Sequence, residues 1–158
     1  MIFFCSNALR DDGMKVVLQR VSRASVAVDG QITGQIDNGY LILVGFGEGD
    51  NTAKVEKMAD KIQKLRIFPD VNGKTNRSIH DVGGGVLVVS QFTLYADCRK
   101  GNRPSFMYAA DPAVAEGLYD YFIRYANGLF DKVAHGVFGA EMKVELVNDG
   151  PFTLILDD

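Results

Sequence analysis

The run Val86-Leu-Val-Val-Ser-Gln-Phe-Thr-Leu94 carries three hydrogen-bonding side chains, Ser90, Gln91 and Thr93, at the end of an apolar stretch. Buried polar groups need partners. These side chains therefore either satisfy loop backbone at a strand end or face a pocket opening there, a usual place for sites in α/β sheets. A hydroxyl nucleophile also needs a neighbouring base. No glycine flanks Val89-Ser90-Gln91, so the nucleophile elbow of the α/β-hydrolases is absent. The two histidines, His80 and His135, show no local pattern that ties either to Ser90, and a triad would need convergence in the tertiary fold.

Two more segments could do chemistry. Asn148-Asp-Gly-Pro151 reads first as a plain turn between strands. A Gly-Pro peptide is also one of the few that adopts the cis form, which would aim its flanking carbonyls at a ligand. Gly101-Asn-Arg-Pro-Ser-Phe106 mixes basic, polar and aromatic groups. It fits a phosphate or a stacked base, and equally an ordinary solvated loop. Gly83-Gly-Gly85 precedes a strand and lacks a following Gly-Lys-Ser/Thr, so it is not a phosphate-binding P-loop. Asp70-Val-Asn-Gly-Lys74 lacks the closing glutamate of a calcium loop.

Composition narrows the classes. The 158 residues suit one domain. A net charge of -3 speaks against a surface that tracks duplex nucleic acid, so DNA is not expected and any RNA contact should be local. Cys5 and Cys98 form no metal or disulfide pattern, and with two histidines no metal site or cofactor is expected. A reducing cytoplasm is the default compartment. No apolar run reaches the ~20 residues needed to span a membrane.

These groups must be held by a mixed α/β scaffold. Lys15–Val21 and Arg23–Val28 read as strands, with Asp29-Gly30 as a tight hairpin signal before Gln31–Ile36. Tyr40–Phe46 is apolar throughout, as in a strand covered on both faces. A helix is expected from Thr52 to about Arg66, capped by Asp50 or Asn51, with Val55, Met58, Ala59, Ile62 and Leu65 on one face. Phe68–Gly85 is turn-rich, and Val86–Leu94 reads as one buried strand. Asp111-Pro112 opens a second helix, with Ala115, Leu118, Tyr119, Phe122 and Ala126 as its apolar stripe, ending at Asn127-Gly128. Met142–Val147 and Phe152–Leu156 read as two closing strands. The expected fold class is a single compact α/β domain, mixed sheets packed with two main helices in an α/β/β layering. Residues 1–13 read as an extension, flexible or foreign to a working domain of residues 14–158.

The chain resembles the D-aminoacyl-tRNA deacylases. The matching pieces, in the family's order, are Gln19-Arg-Val21, Arg66-Ile-Phe68, Val88-Val-Ser-Gln-Phe-Thr-Leu94, Arg103-Pro-Ser-Phe106, Leu118-Tyr-Asp-Tyr-Phe122 and Val147-Asn-Asp-Gly-Pro-Phe-Thr153. Each piece alone is weak; six in register from Met14 onward make a strong match. The resemblance implies an ester hydrolase acting on D-aminoacyl-tRNA, and on mischarged glycyl-tRNA, as a homodimer with active sites at the interface. It implies that Ser90, Gln91, Phe92 and Thr93 line the pocket for the aminoacyl-adenosine end, with backbone N–H groups around Gln91 and Phe92 as oxyanion donors. It implies that Gly150-Pro151, with Asn148 and Thr153 in the same motif, reaches in from the other subunit to exclude L-amino acids. Arg20 would orient that segment, and Arg103, Pro104, Ser105 and Phe106 would lie near the terminal adenosine. The RNA's own 2′-hydroxyl would assist water attack in place of a protein nucleophile.

Two other functions compete with this one. A non-catalytic module that binds the aminoacyl-tRNA end would hold the same groups without turnover. A serine hydrolase acting on small esters would need Ser90 as nucleophile.

Overall fold

The computed structural model describes the backbone of Ile2–Cys5 and the whole of residues 13–158. Residues 1 and 6–12, most of the expected extension, lie outside the described residues. Strand β1 (Ile2–Cys5) runs parallel to the last strand of the chain, with Ile2 opposite Thr153.

β2 (Lys15–Val28) is one strand of 14 residues where two were expected. Ser22 is an extra residue between the pairs Val21↔Asn148 and Arg23↔Val147, so a bulge bends the strand without ending it. The Asp29-Gly30 turn, both residues at positive φ, leads into β3 (Gln31–Ile36) as expected. β4 (Gly39–Gly45) follows, and helix α1 (Thr52–Lys64) connects it toward β7 (Gly85–Ser90). Asn51 is the cap, accepting from Lys54 N–H at 3.0 Å. The Asp50 carboxylate turns back instead and accepts from Gly47 N–H at 2.7 Å. In the turn-rich stretch, β5 (Phe68–Pro69) and β6 (Thr75–Arg77) form a small hairpin that local patterning did not indicate.

Helix α2 (Pro112–Leu129) leads from β7 to β8 (Val133–His135), and β9 (Lys143–Asp157) closes the fold. The main sheet has the order β1-β9-β2-β4-β7-β8, with β3 paired to β2. β4, β7 and β8 are mutually parallel. Parallel neighbours need crossovers, and α1 and α2 provide them.

Alternation along β4 and β7 sorts the core. Tyr40, Ile42, Val44, Val86 and Val88 face the helices. Leu41, Leu87 and Val89 face a second cluster with Val21, Ala24 and Val26, where β2, β3 and β9 curl over the sheet. The result is the α/β/β layering expected. β4 and β7 approach closely at Gly39, where a Cβ would lie 1.8 Å from the Gly85 carbonyl oxygen. No side chain fits that crossing.

Candidate active site

β7 ends at Ser90, four residues before the end of the expected strand. Gln91 donates its backbone N–H to Val44 O at 2.8 Å, and Phe92–Tyr95 then winds into a 3-10 turn. Continued extension would have buried Gln91 and Thr93 in the core. The turn brings Phe92 and Thr93 to the surface instead.

The turn opens a cleft of about 710 Å³, walled by Gly45 and Phe46 at the end of β4, Ser90–Phe92, and Phe106. Its far side is built from Asp111, Pro112 and Ala115 at the start of α2, together with Phe138–Ala140, Met142 and Val144. The rim is aromatic, with the Phe92 and Phe106 rings edge-to-face at 5.0 Å. Asp111 accepts from Ala113 N–H at 2.9 Å and so fixes the start of α2 at the cleft wall.

Of the backbone N–H groups expected as oxyanion donors, that of Gln91 is committed to Val44 O. The N–H groups of Phe92 and Thr93 open the 3-10 turn, and the first N–H groups of a helix have no acceptor within it. The Gln91 side chain reaches forward to donate to Thr93 Oγ1.

Among the described residues, neither histidine hydrogen-bonds to Ser90. His80 lies 3.3 Å from Gln63 Oε1 and stacks on Phe130. His135 Nδ1 lies 2.7 Å from Gly136 O.

Arg103, Pro104 and Ser105 are exposed and do not wall the cleft. Their loop is closed at its base, where Asp97 and Ser105 exchange backbone hydrogen bonds of 2.7 and 3.0 Å. Arg99 forks onto the Asp97 carboxylate at 2.8 and 2.7 Å and holds it at a pKa of about 2, well below its ordinary range.

The second group of expected residues lies elsewhere. β9 runs through Asn148–Thr153 without a chain reversal, so the expected turn is an excursion within one strand. Gly150-Pro151 is cis, as anticipated. Gly150 sits at φ +140, and a Cβ there would meet Phe152 N at 2.9 Å and Arg20 Nη2 at 3.1 Å. Arg20 anchors the excursion, donating from Nε to Asp149 O at 2.9 Å and from Nη1 to Ile67 O at 2.5 Å. Its guanidinium also lies 4.8 Å over the Phe152 ring. Asn148 and Thr153 hydrogen-bond to neighbouring strand residues within this same group.

Ser90 is level with Val44, Val16 and Leu156 in the sheet, whereas Arg20, opposite Gly150-Pro151, is level with Tyr40 and Val86. Four residues along a strand and three strands across amount to roughly 20 Å. One chain therefore does not bring the two groups together.

Sequence reasoning missed Phe46, Ala109, Ala110, Phe138, Met142 and Val144 in the cleft wall. The Asp111-Pro112 cap was the one local signal on that side. Among the described residues no cluster of histidine, cysteine and acidic side chains could hold a metal ion, and no helix is long and apolar enough to cross a membrane.

The curled sheet backed by two helices, with Ser90 and Gln91 lining a cleft at a parallel strand end, defines a mixed α/β domain with a pocket at its strand ends. A family model described as D-Tyr-tRNA(Tyr) deacylase matches residues 17–157, and the chain belongs to that family. A D-aminoacyl-tRNA deacylase from Opitutus terrae is 57% identical over 145 residues, covering 91% of this chain and 97% of the relative. One from Lactobacillus delbrueckii subsp. bulgaricus is 54% identical over 144 residues, covering 91% and 99%. The solved structure of a c-Myc DNA unwinding element binding protein is 39% identical, with a TM-score of 0.86, covering 91% of this chain and 98% of its own. A probable eukaryotic D-amino acid tRNA deacylase shares the fold at a TM-score of 0.81 and 16% identity, over 92% and 99% of the two chains.

Proposed function

We propose that this chain hydrolyses the ester bond of D-aminoacyl-tRNA, releasing the D-amino acid and tRNA, and that it clears mischarged glycyl-tRNA by the same route. Family membership over residues 17–157 carries the reading. A substrate of this kind supports a cytoplasmic location.

The chemistry asks little of the protein. Water attacks the ester carbonyl, the bond to the ribose 3′-oxygen breaks, and that oxygen leaves with a proton. The adjacent 2′-hydroxyl assists the attack, which accounts for a Ser90 without a base. The Phe92 and Thr93 N–H groups face the oxyanion, the kind of preorganised donor pair that stabilises such charge. Ser90, Gln91, Phe92 and Phe106 hold the terminal adenosine, and Arg103 with its neighbours meets the RNA backbone beyond it.

Gly150-Pro151 is the gate against L-amino acids, and it acts in the cleft of a second copy. The separation of roughly 20 Å between the two groups in one chain supports a homodimer. Exclusion by contact requires a wall that does not yield, and the Arg20 anchors supply one.

The test is incubation of purified protein with D-tyrosyl-tRNA and L-tyrosyl-tRNA of verified charging. Release of D-tyrosine alone is expected; intact D-tyrosyl-tRNA sinks the reading. A 2′-deoxy terminal adenosine should abolish turnover. Tight binding of a non-hydrolysable mimic without any turnover would leave only an RNA-end binding module.

A further inference from the structure

Gln19 pairs with Thr153 and Val21 with Asn148, so β9 inserts four residues, Asp149–Phe152, opposite Arg20 alone. The strand ladder cannot hold an excursion of that length, and side chains must. Asn148 Nδ2 donates to Arg20 O at 3.0 Å and to Phe152 O at 2.9 Å, which closes the base of the excursion. Both amide hydrogens are then used, leaving Oδ1 to face Thr153 Oγ1 at 3.5 Å. An amide oxygen has no proton, so the Thr153 hydroxyl is the donor. A hydroxyl has a single proton. Its other contact, Gln19 Nε2 at 3.3 Å, is therefore one it accepts.

The relay runs in one sense only, from the Gln19 amide to the Thr153 hydroxyl to the Asn148 carbonyl. Reversing the Asn148 amide would set its oxygen against two carbonyl oxygens. We propose that Gln19 is a positioning residue that, through Thr153 and Asn148, holds the Asp149–Phe152 excursion in register and so sets discrimination between D- and L-aminoacyl esters. The proposal rests on the assignment of Gly150-Pro151 as the gate. Gln19 does not line the cleft, and its side chain bonds to Thr153; it acts two hydrogen bonds away.

The test measures single-turnover hydrolysis of D-tyrosyl-tRNA and L-tyrosyl-tRNA by the full chain. Thr153→Val keeps the side-chain shape and removes the hydroxyl. Gln19→Glu keeps its length, but a carboxylate only accepts, so Thr153 turns its proton away from Asn148. Both variants should raise the L-to-D rate ratio roughly five- to tenfold, the factor one hydrogen bond is worth. Thr153→Ser restores the hydroxyl and should return the ratio to near the wild-type value. A role in stability alone would lower the melting temperature and both rates in parallel. An unchanged ratio in Thr153→Val and Gln19→Glu therefore overturns the relay. If Thr153→Val does not fold, Gln19→Glu at its half-buried position decides alone. A wild-type protein that hydrolyses both esters equally overturns the gate itself, which is a different failure from a wild type that discriminates and variants that do so equally well.

Discussion

The Arg20 guanidinium donates to the carbonyl oxygen of Asp149 at 2.9 Å with its side chain only 11% exposed, and so fixes the backbone immediately before Gly150-Pro151. A second bond from the same group to Ile67 O ties that backbone to the loop after α1. Arg20→Lys keeps the charge and loses the planar fork that makes both bonds at once. L-tyrosyl-tRNA hydrolysis should rise about tenfold relative to the D-ester, read in the paired assay, for roughly 1.4 kcal/mol of lost anchoring. Arg20→Ala should have the larger effect, since it also uncovers the Phe152 ring.

Thr93→Ala distinguishes the two sources of the attacking group. RNA-assisted attack leaves hydrolysis largely in place, because the oxyanion donor proposed at Thr93 is its backbone N–H. Complete loss with folding and binding intact would point to a hydroxyl nucleophile. A fluorophosphonate should leave Ser90 unlabelled, checked by intact mass.

Phe92 is 56% exposed at the cleft rim, so replacing it with alanine should barely alter folding. A base stacked on an aromatic ring is held by about 1–3 kcal/mol. Phe92→Ala should raise KM roughly tenfold at little cost in melting temperature. An unchanged KM would remove this ring from the RNA-binding surface.

The Asp97–Arg99 fork predicts a pH signature. The Asp97 carboxylate is held at about 2 chiefly by the Arg99 side chain and backbone hydrogen bonds. A depressed carboxylate contributes its stabilisation above its unfolded pKa, and that contribution is lost as pH falls through the folded value. The loop closure at Asp97 and Ser105 should therefore persist from neutral pH down to about 4 and weaken toward 2. Carboxyl-carbon NMR shifts should show this titration, and Arg99→Ala should move Asp97 only part of the way back toward the ordinary aspartate range, because the residue-99 backbone N–H still donates to it.

Tyr119 joins α2 to two parallel strands, its hydroxyl donating to Val88 O at 2.9 Å and lying 3.3 Å from Gly136 O. Tyr119→Phe removes one hydrogen bond, while Val88 O keeps the Gly136 N–H and Gly136 O keeps His135 Nδ1 beside it. The expected loss is about 0.5–1.5 kcal/mol, read as a fall in melting temperature of a few degrees with the ring packing preserved.

Much of the scaffold was legible locally. The apolar positions Val55, Met58, Ala59 and Ile62 recur at helical spacing because a single face of α1 is buried. Asp111-Pro112 marks the start of α2 because a side-chain oxygen and a ring without N–H satisfy a helix N-terminus whatever lies around it. The residues of the six motifs were legible as well.

Other features depend on partners distant in the chain. Asn-Asp-Gly-Pro has the composition of a turn. Here β9 passes through it unreversed, because β2 pairs with Asn148 on one side and Thr153 on the other. Val86–Leu94 looks like one strand by hydrophobicity, yet β7 stops at Ser90, level with the last residues of β4. β8 is too short to announce itself and exists by pairing with β7.

The sequence by itself determined which side chains are available for the chemistry and which helices and hairpin carry them, because those follow from interactions a few residues apart. Only the tertiary structure decided that Ser90–Thr93 and Asn148–Thr153 lie at opposite ends of one sheet, with the Gln91 N–H committed to Val44 O. Sheet register sets both, and register is fixed by pairing between β2, β4, β7 and β9, residues up to 142 positions apart in the chain, as Lys15 and Asp157 are.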